Sequence, residues 1–204
     1  MVNLPNHCLN VLSVTGAASE IATFINHGLQ RDGLEESITS CPDLNFLYPI
    51  PASVEKADDP GILSTTEYNW RTENWGTKWN TYSDDGIHIR RSETTDRLLG
   101  VSVSFETAWA PAEGAIEVGS AKFPHLFFTY EYAEPGMMFK GVSVYQNGEV
   151  IFKLFEAGIS DAELESDSYS EMDSEDQLEW MDSIRTILNP EKTTHLTSFT
   201  GDML

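Results

Sequence analysis

The residue types that could carry chemistry are concentrated in one stretch, NWRTENWGTKWN, which spans residues 69–80. It holds three of the chain's five tryptophans, with two cations among them. The candidate residues are Trp70, Arg71, Trp75, Lys78 and Trp79. Cations stack on indole faces, and exposed indole rings also stack on nucleobases or peptide side chains. One interpretation is therefore a binding surface. The other is a cap of packed rings over an open end of a sheet, with indole N–H groups bonded to backbone.

The spacing of these tryptophans favours the packing interpretation. A continuous helix would place Trp75 and Trp79 on one face. However, Asn74 directly before Trp75 and Gly76 directly after it both disfavour a continuous helix. Large aromatic side chains also contribute to burial more often than they bind ligands. We therefore expect a shaped turn locked by tryptophan packing, with Trp109 of the TAWAP turn as a neighbour.

No sequence pattern in the chain predicts a catalytic site. The sequence has no nucleophile elbow, P-loop or dinucleotide-binding motif. Its five histidines lack zinc-site spacing, and its acidic clusters lack the spacing of an EF-hand. Glu73 and Glu106 could approach each other as an acid–base pair, but paired or hydrogen-bonded surface carboxylates are the simpler interpretation. We therefore expect no enzymatic activity, no catalytic residue, no metal site and no cofactor.

Charge is the strongest functional signal in the sequence. The chain of 204 residues carries 12 basic and 33 acidic side chains, a net charge of −21. Such an excess opposes ordinary binding to nucleic acids and to anionic membranes. No apolar run is long enough to span a membrane, and the N-terminus lacks the basic region of a secretion signal. With only Cys8 and Cys41, we expect reduced thiols and a cytoplasmic location in a bacterial host cell.

The negative charge is densest near the C-terminus. Eleven acidic residues lie between Glu156 and Asp182 with no Lys, Arg or His among them. Nine of these form a candidate acidic surface: Asp161, Glu163, Glu165, Asp167, Glu171, Asp173, Glu175, Asp176 and Glu179. As a continuous helix, the run would carry about one charge per 3.7 Å, close to one strand of B-DNA. Apolar residues follow at helical spacing, namely Leu178, Met181, Ile184 and Leu188, which predicts an amphipathic helix.

The acidic run also has two interpretations. It could act as a decoy that occupies the nucleic-acid channel of a basic protein and releases that protein's counterions. It could equally be a solvated acidic face or a disordered linker. Isolated acidic runs are more often solvated.

The hydrophobic patterning predicts an α+β fold. Strands are expected at residues 7–15, 86–91, 98–107, 126–132, 138–145 and 149–155, and helices at 17–29 and 111–123. Residues 34–66 are rich in turn signals and are expected to form a long irregular loop. This order predicts a ferredoxin-like antiparallel sheet with two helices on one face, an extra C-terminal hairpin and an acidic C-terminal helix. The predicted domain covers 1–155, with an insertion at about 34–80. Residues 156–204 are expected to form an acidic helical extension.

Four motifs in this order resemble a known family. They are PNHC with Asn10, the run ENWGTKW at 73–79, the run FETAWAP at 105–111, and Phe123-Pro124 followed by YAEPG at 132–136. Together they resemble the YubB-type ferredoxin-like family of plasmid- and phage-encoded proteins, over roughly residues 3–155. Two features depart from the family pattern: an aromatic usually stands where this chain has His7, and the segment after Phe155 shows no recognised family pattern. The resemblance implies a mobile-element origin and assigns no catalytic residue.

The sequence therefore predicts a non-enzymatic binding protein of a mobile element. The expected partner is a basic host protein, and the expected role is counter-defence through nucleic-acid mimicry. One alternative is a nucleic-acid-binding protein that uses the surface of Trp75, Lys78 and Trp79. Another is a structural or assembly module. The sequence does not determine the oligomeric state.

Overall fold

The computed structural model of the chain describes residues 6–31, 38–54, 64–82, 87–134, 136–137 and 139–157. Their regular elements follow in chain order: β1 (His7–Thr15), α1 (Ala18–His27), β2 (Leu29–Arg31), β3 (Ile38–Pro42), α2 (Leu44–Leu47), α3 (Thr65–Asn74), β4 (Ile87–Arg91), β5 (Leu98–Ala108), α4 (Glu113–Ser120), β6 (Phe127–Glu134), β7 (Phe139–Gln146) and β8 (Glu149–Ala157).

The sheet has the strand order that the sequence pattern predicts. Six antiparallel strands are arranged as β4-β5-β1-β6-β7-β8. β1 and β4 flank β5, while β5 and β6 flank β1, which gives the two interleaved split β-α-β units of a ferredoxin-like domain. The hairpin of β7 and β8 extends this core at the β6 edge. The predicted ferredoxin-like fold is therefore confirmed.

One face of the sheet forms the core with α1 and α4. Along β1, alternate residues Cys8, Asn10, Leu12 and Val14 are buried, because successive side chains of a strand point to opposite faces. From α1, the Phe24 ring packs edge-on against two other phenylalanine rings, Phe123 and Phe128. We call the opposite side of the sheet, where β1 exposes part of every second residue, the open face.

The prediction of an irregular loop over 34–66 was wrong for the part of that segment that the structure describes. It contains β3, which pairs with β2 just before the segment, the short helix α2 and the start of α3. The Asp43 carboxylate caps α2 by accepting from the Asn45 amide. The Ser64 hydroxyl caps α3 by accepting from the Glu67 amide at 3.0 Å. Ser64-x-x-Glu67 is a helix-start signal that the abundant turn residues nearby obscured.

A buried polar network joins the central strands. Within it, the Asn10 side-chain amide donates to the Cys8 carbonyl at 2.7 Å and to the Thr107 hydroxyl at 3.0 Å. Its oxygen accepts from the Tyr130 hydroxyl at 2.7 Å, and that hydroxyl accepts from the Ala112 amide at 2.9 Å. Three strands and the start of α4 are thereby fixed relative to one another. Such groups are costly to leave unsatisfied in the interior.

Replacing Tyr130 with Phe should destabilise the domain. The substitution leaves the Asn10 oxygen and the Ala112 amide without the Tyr130 hydroxyl, so we expect the free energy of unfolding to fall by about 1–3 kcal/mol. Urea titration followed by circular dichroism measures the change. The matched control is Tyr68→Phe on an exposed side chain of α3, expected to change stability by less than about 0.5 kcal/mol. Equal effects of the two substitutions would contradict this account.

The buried tyrosines make the domain sensitive to alkali. Burial raises the pKa of Tyr130, Tyr132 and Tyr145, and raises the pKa of Tyr82 to about 12. In the unfolded chain, tyrosine ionises near pH 10, so above about pH 10 the unfolded state binds fewer protons than the folded state. The free energy of unfolding should therefore fall as pH rises from about 10 to 12. Phenolate absorbance at 295 nm should show these four tyrosines ionising together with unfolding. Ionisation of all seven tyrosines near pH 10 in a folded chain would contradict the prediction.

Candidate binding surface

Two exposed tryptophan rings flank one lysine at an end of the sheet. The Lys78 ammonium lies 4.2 Å from the centre of the Trp79 ring and 5.8 Å from the centre of the Trp109 ring. Trp79 is 37% exposed and Trp109 is 44% exposed. These distances are within the range of cation–π attraction. The structure therefore brings together the two tryptophan motifs that the sequence analysis expected to be neighbours.

Two further aromatic side chains continue this surface across the sheet edge. The Tyr82 ring lies 6.1 Å from Trp79 and 5.6 Å from the His7 ring, measured between centroids. Tyr82 also forms an isolated bridge with Glu106 of β5, which places it beside the end of the sheet. We call the set of Lys78, Trp79, Tyr82, Trp109 and His7 the aromatic patch.

Hydrogen bonds orient the His7 ring. Its Nδ1 lies 2.5 Å from the Glu106 carboxylate and 3.3 Å from the Tyr82 hydroxyl. Burial, with a further contribution from the Glu106 charge, raises the pKa of Tyr82 to about 12, so this hydroxyl stays protonated near neutral pH. Burial also raises the pKa of the Cys8 thiol, which lies on the core face of β1. The arrangement thus offers stacking surfaces and hydrogen-bonding groups, while the adjacent thiol is an inert core residue.

A rigid base holds Lys78 and Trp79 in place. Thr77 is buried, and its hydroxyl both donates to the Ala108 carbonyl at 3.0 Å and accepts from the Ala108 amide at 3.1 Å. Gly76 has a φ of +92°, and a Cβ atom there would lie 2.5 Å from the Pro111 carbonyl oxygen. Only glycine permits both this backbone conformation and this close approach.

Trp109 adopts a strained backbone conformation. Its φ is +72°, a region that bulky residues rarely occupy, and its amide donates to the Asn6 carbonyl at 2.9 Å. Such strain costs of the order of 1–3 kcal/mol and persists only where the surrounding structure imposes it. The strain accompanies the exposure of a large indole ring beside Lys78.

The other half of the predicted stretch is buried or partly buried. Trp75 is 1% exposed, and its indole nitrogen donates to the Tyr48 carbonyl at 2.7 Å. Trp70 packs edge-on against both Tyr48 and Trp75. Arg71 lies over the Trp75 ring at 4.9 Å and pairs with Glu67 at 2.6 Å. Trp70, Arg71 and Trp75 therefore form a packed cap, whereas Lys78, Trp79 and Trp109 form a surface.

The nine candidate acidic residues from Asp161 to Glu179 lie outside the described residues. The described ranges contain 13 acidic and nine basic side chains, a net charge of −4. The remaining charge, −17 of the total −21, belongs to residues outside those ranges. The described part of the chain is therefore nearly balanced in charge, and most of the acidic excess belongs to the other residues.

Other sequence-level candidates have clear positions. Glu106 pairs with His7, and Glu73 is exposed near the end of α3. Across the described ranges, no group of three or more His, Cys, Asp or Glu side chains is arranged to hold a metal ion. Within the same ranges, no helix has both the length and the apolar character needed to cross a membrane.

Sequence reasoning missed His7 and Tyr82 as members of the patch. The sequence places them 75 residues apart, and only the pairing of β1 and of Tyr82 with β5 brings them together.

The fold and the tryptophan motifs define a ferredoxin-like domain. The model of a family described as the ferredoxin-like domain in Api92-like protein matches residues 74–182, more than half of the chain. The chain therefore belongs to the family of Api92-like proteins. The crystal structure of the protein api92 from Yersinia pseudotuberculosis is similar to this chain, with a TM-score of 0.52 and 12% sequence identity. The alignment covers 76% of this chain and 99% of the api92 chain. At that identity the likeness shows a shared fold. No curated protein matches the chain.

Replacing Thr77 with Val should loosen the patch. The substitution keeps the shape of the side chain but leaves the Ala108 amide and carbonyl without their partner, which should cost about 1–3 kcal/mol of unfolding free energy. Thr77→Ser keeps the hydroxyl and should retain most of the stability. Urea unfolding measures both variants, and acrylamide quenching of tryptophan emission reports the exposure of the rings. Equal stability of the Val and Ser variants would show that these hydrogen bonds do not hold the loop.

Proposed function

We propose that this chain is a non-enzymatic binding protein whose aromatic patch anchors a partner protein. The observation that carries the proposal is the pair of exposed tryptophans, Trp79 and Trp109, flanking Lys78 on a rigid base. Tryptophan and tyrosine are enriched among the residues that dominate binding energy at protein interfaces. Rings that are already held in place lose little conformational entropy when a partner binds.

The charge of the chain favours a basic partner. A net charge of −21 attracts cationic surfaces over long distances and raises the rate of encounter. The residues from Asp161 to Glu179 supply nine of these charges. In this account the acidic segments set the association rate and its salt dependence, while the aromatic patch sets the lifetime of the complex.

We extend this proposal to a role for the protein in a bacterial cytoplasm. The four motifs that resemble YubB-type proteins support a plasmid or phage origin. A mobile element benefits when an acidic protein occupies the nucleic-acid channel of a basic host defence or DNA-processing protein. This part of the proposal rests on the resemblance and on charge density, which approaches that of one DNA strand.

Direct binding of nucleic acid through the patch is the weaker alternative. Burial of Trp75 removes one ring from the stacking platform. Lys78 is the one cation of the aromatic patch as defined above, and one phosphate contact predicts a salt slope of only about −0.7 for a single strand. Assembly is a third candidate, favoured by exposed apolar side chains on the edge strand β8: Val150, Ile151, Phe152 and Phe155.

Partner capture with matched variants tests the proposal. Immobilised wild-type chain is exposed to bacterial lysate at low salt and eluted with a salt gradient, and captured proteins are re-measured in purified form. For a genuine partner, Trp79→Ala should raise Kd by about 30-fold, the effect of losing a residue worth about 2 kcal/mol. The control Tyr68→Ala removes an exposed ring from α3 and should leave Kd unchanged.

A second variant separates the role of charge from that of the rings. Conversion of the nine carboxylates from Asp161 to Glu179 into amides should slow association and flatten its salt dependence, with a smaller effect on dissociation. A basic protein bound equally by all variants would contradict the proposal. Preferential binding of a single-stranded oligonucleotide that depends on Trp79 would support the nucleic-acid alternative. A self-associating chain that captures nothing would support assembly.

A further inference from the structure

A groove crosses the open face at the edge of the sheet farthest from β8. Its lining comes from β1, β5 and β4 and comprises Ser13, Thr15, His88, Ile89, Arg90, Gly100, Val101 and Ser102. The groove has a volume of about 400 Å³, which is within the range of small-molecule sites. None of these residues belongs to the aromatic patch.

The strand register explains how the groove forms. Ser13, Ser102 and His88 stand side by side on β1, β5 and β4. Two residues further along, Thr15, Gly100 and Arg90 form the next row. Because side chains two residues apart share a face, both rows lie on the open face of the sheet. Hydroxyl, imidazole and guanidinium groups therefore converge on one area.

Gly100 forms the floor of this groove. A Cβ atom there would lie 3.1 Å from the Thr15 methyl carbon and 3.5 Å from the Arg90 guanidinium. It would also lie 3.0 Å from the Val14 carbonyl oxygen. The lack of a side chain at this position opens a space over which Thr15 and Arg90 extend.

The groove also holds hydrogen-bonding groups among its apolar lining. The Ser13 and Ser102 hydroxyls lie 3.1 Å apart and orient each other. Nearby, Arg91 is engaged with Asp96, through the Asp96 carbonyl at 3.0 Å and the carboxylate at 3.9 Å. Within the described ranges, the Arg90 guanidinium has no hydrogen bond or ion pair of its own. A guanidinium has a planar set of donors that matches phosphate oxygens, and hydroxyls add further donors.

We propose that this groove binds a phosphate group, carried by a small phosphomonoester. Arg90 would contact the phosphate oxygens, with Ser13, Ser102, Thr15 and His88 supplying further hydrogen bonds. The volume exceeds that of a free phosphate ion and leaves room for the organic part of a compound such as a nucleoside monophosphate. The groove lies at the Thr15 end of β1, about 26 Å along the strand from His7 of the aromatic patch. It is therefore a second site, independent of the proposed function.

Titration calorimetry on the full chain tests this site. The probes are inorganic phosphate and adenosine 5′-monophosphate, at ionic strength matched with sodium chloride, and adenosine serves as the phosphate-free comparison. We expect saturable binding of adenosine 5′-monophosphate, weaker binding of inorganic phosphate and none of adenosine. Arg90→Gln should weaken binding at least tenfold. Arg97→Gln removes an exposed charge from the turn between β4 and β5 outside the groove and should have no such effect.

Three results would each overturn the proposal. The first is that neither phosphate probe shows saturable binding, and the second is that adenosine binds as tightly as its monophosphate. The third is that the two arginine variants weaken binding equally. Equal affinity for inorganic phosphate and the monophosphate would support the phosphate site and identify the free ion as a sufficient ligand. Amide chemical shifts in the wild-type chain give a check without mutation, because the probe should move Gly100 and Ser102 and leave Thr77 unchanged.

Discussion

The aromatic patch depends on close backbone contact between two segments: the end of α3 with the loop after it, and the turn that leads into the first residues of α4. A Cβ atom at Gly114 would lie 2.2 Å from the Asn74 carbonyl oxygen, and one at Gly76 would lie 2.5 Å from the Pro111 carbonyl oxygen. Glycines at both positions let the two segments approach, and the paired Thr77–Ala108 hydrogen bonds fix their register. Lys78 and Trp79 follow directly on one segment, and Trp109 lies on the other. The backbone contact between the segments therefore places Lys78 next to both tryptophan rings.

The same turn is tied to the centre of the sheet by polar groups. Thr107 accepts from Asn10 and donates to the Ala110 carbonyl, while Tyr130 joins Asn10 to the Ala112 amide. The interior thus orients the base of the aromatic patch through satisfied hydrogen bonds. Low local polarity strengthens such bonds and makes alternatives costly, which gives the turn one conformation. A rigid platform of this kind suits recognition, because its rings need no reordering when a partner arrives.

Much of the fold could be predicted from sequence, because β5 and β6 alternate over their central residues and the segment between them has helical spacing. The α3 helix was missed, because its mostly polar residues give no apolar periodicity after the capping residues Ser64 and Glu67. For the site, the meeting of Trp79 and Trp109 was expected. The division between buried Trp75 and exposed Trp79 was not, because it depends on the reversal at Gly76 and on the position of Tyr48. The groove on the open face depends on the register between three strands, which composition does not encode.

Fluorine NMR of the chain labelled with 5-fluorotryptophan would show whether the aromatic patch anchors a partner. The five tryptophans give five resonances, assigned by single Trp→Phe substitutions. We expect the Trp79 and Trp109 resonances to show a solvent isotope shift between H₂O and D₂O and to move when a captured basic partner is added. Trp75 should show neither response. Movement of Trp75 with Trp79 unchanged, or a partner complex in which both exposed rings remain at their free positions, would contradict the aromatic patch as the anchor.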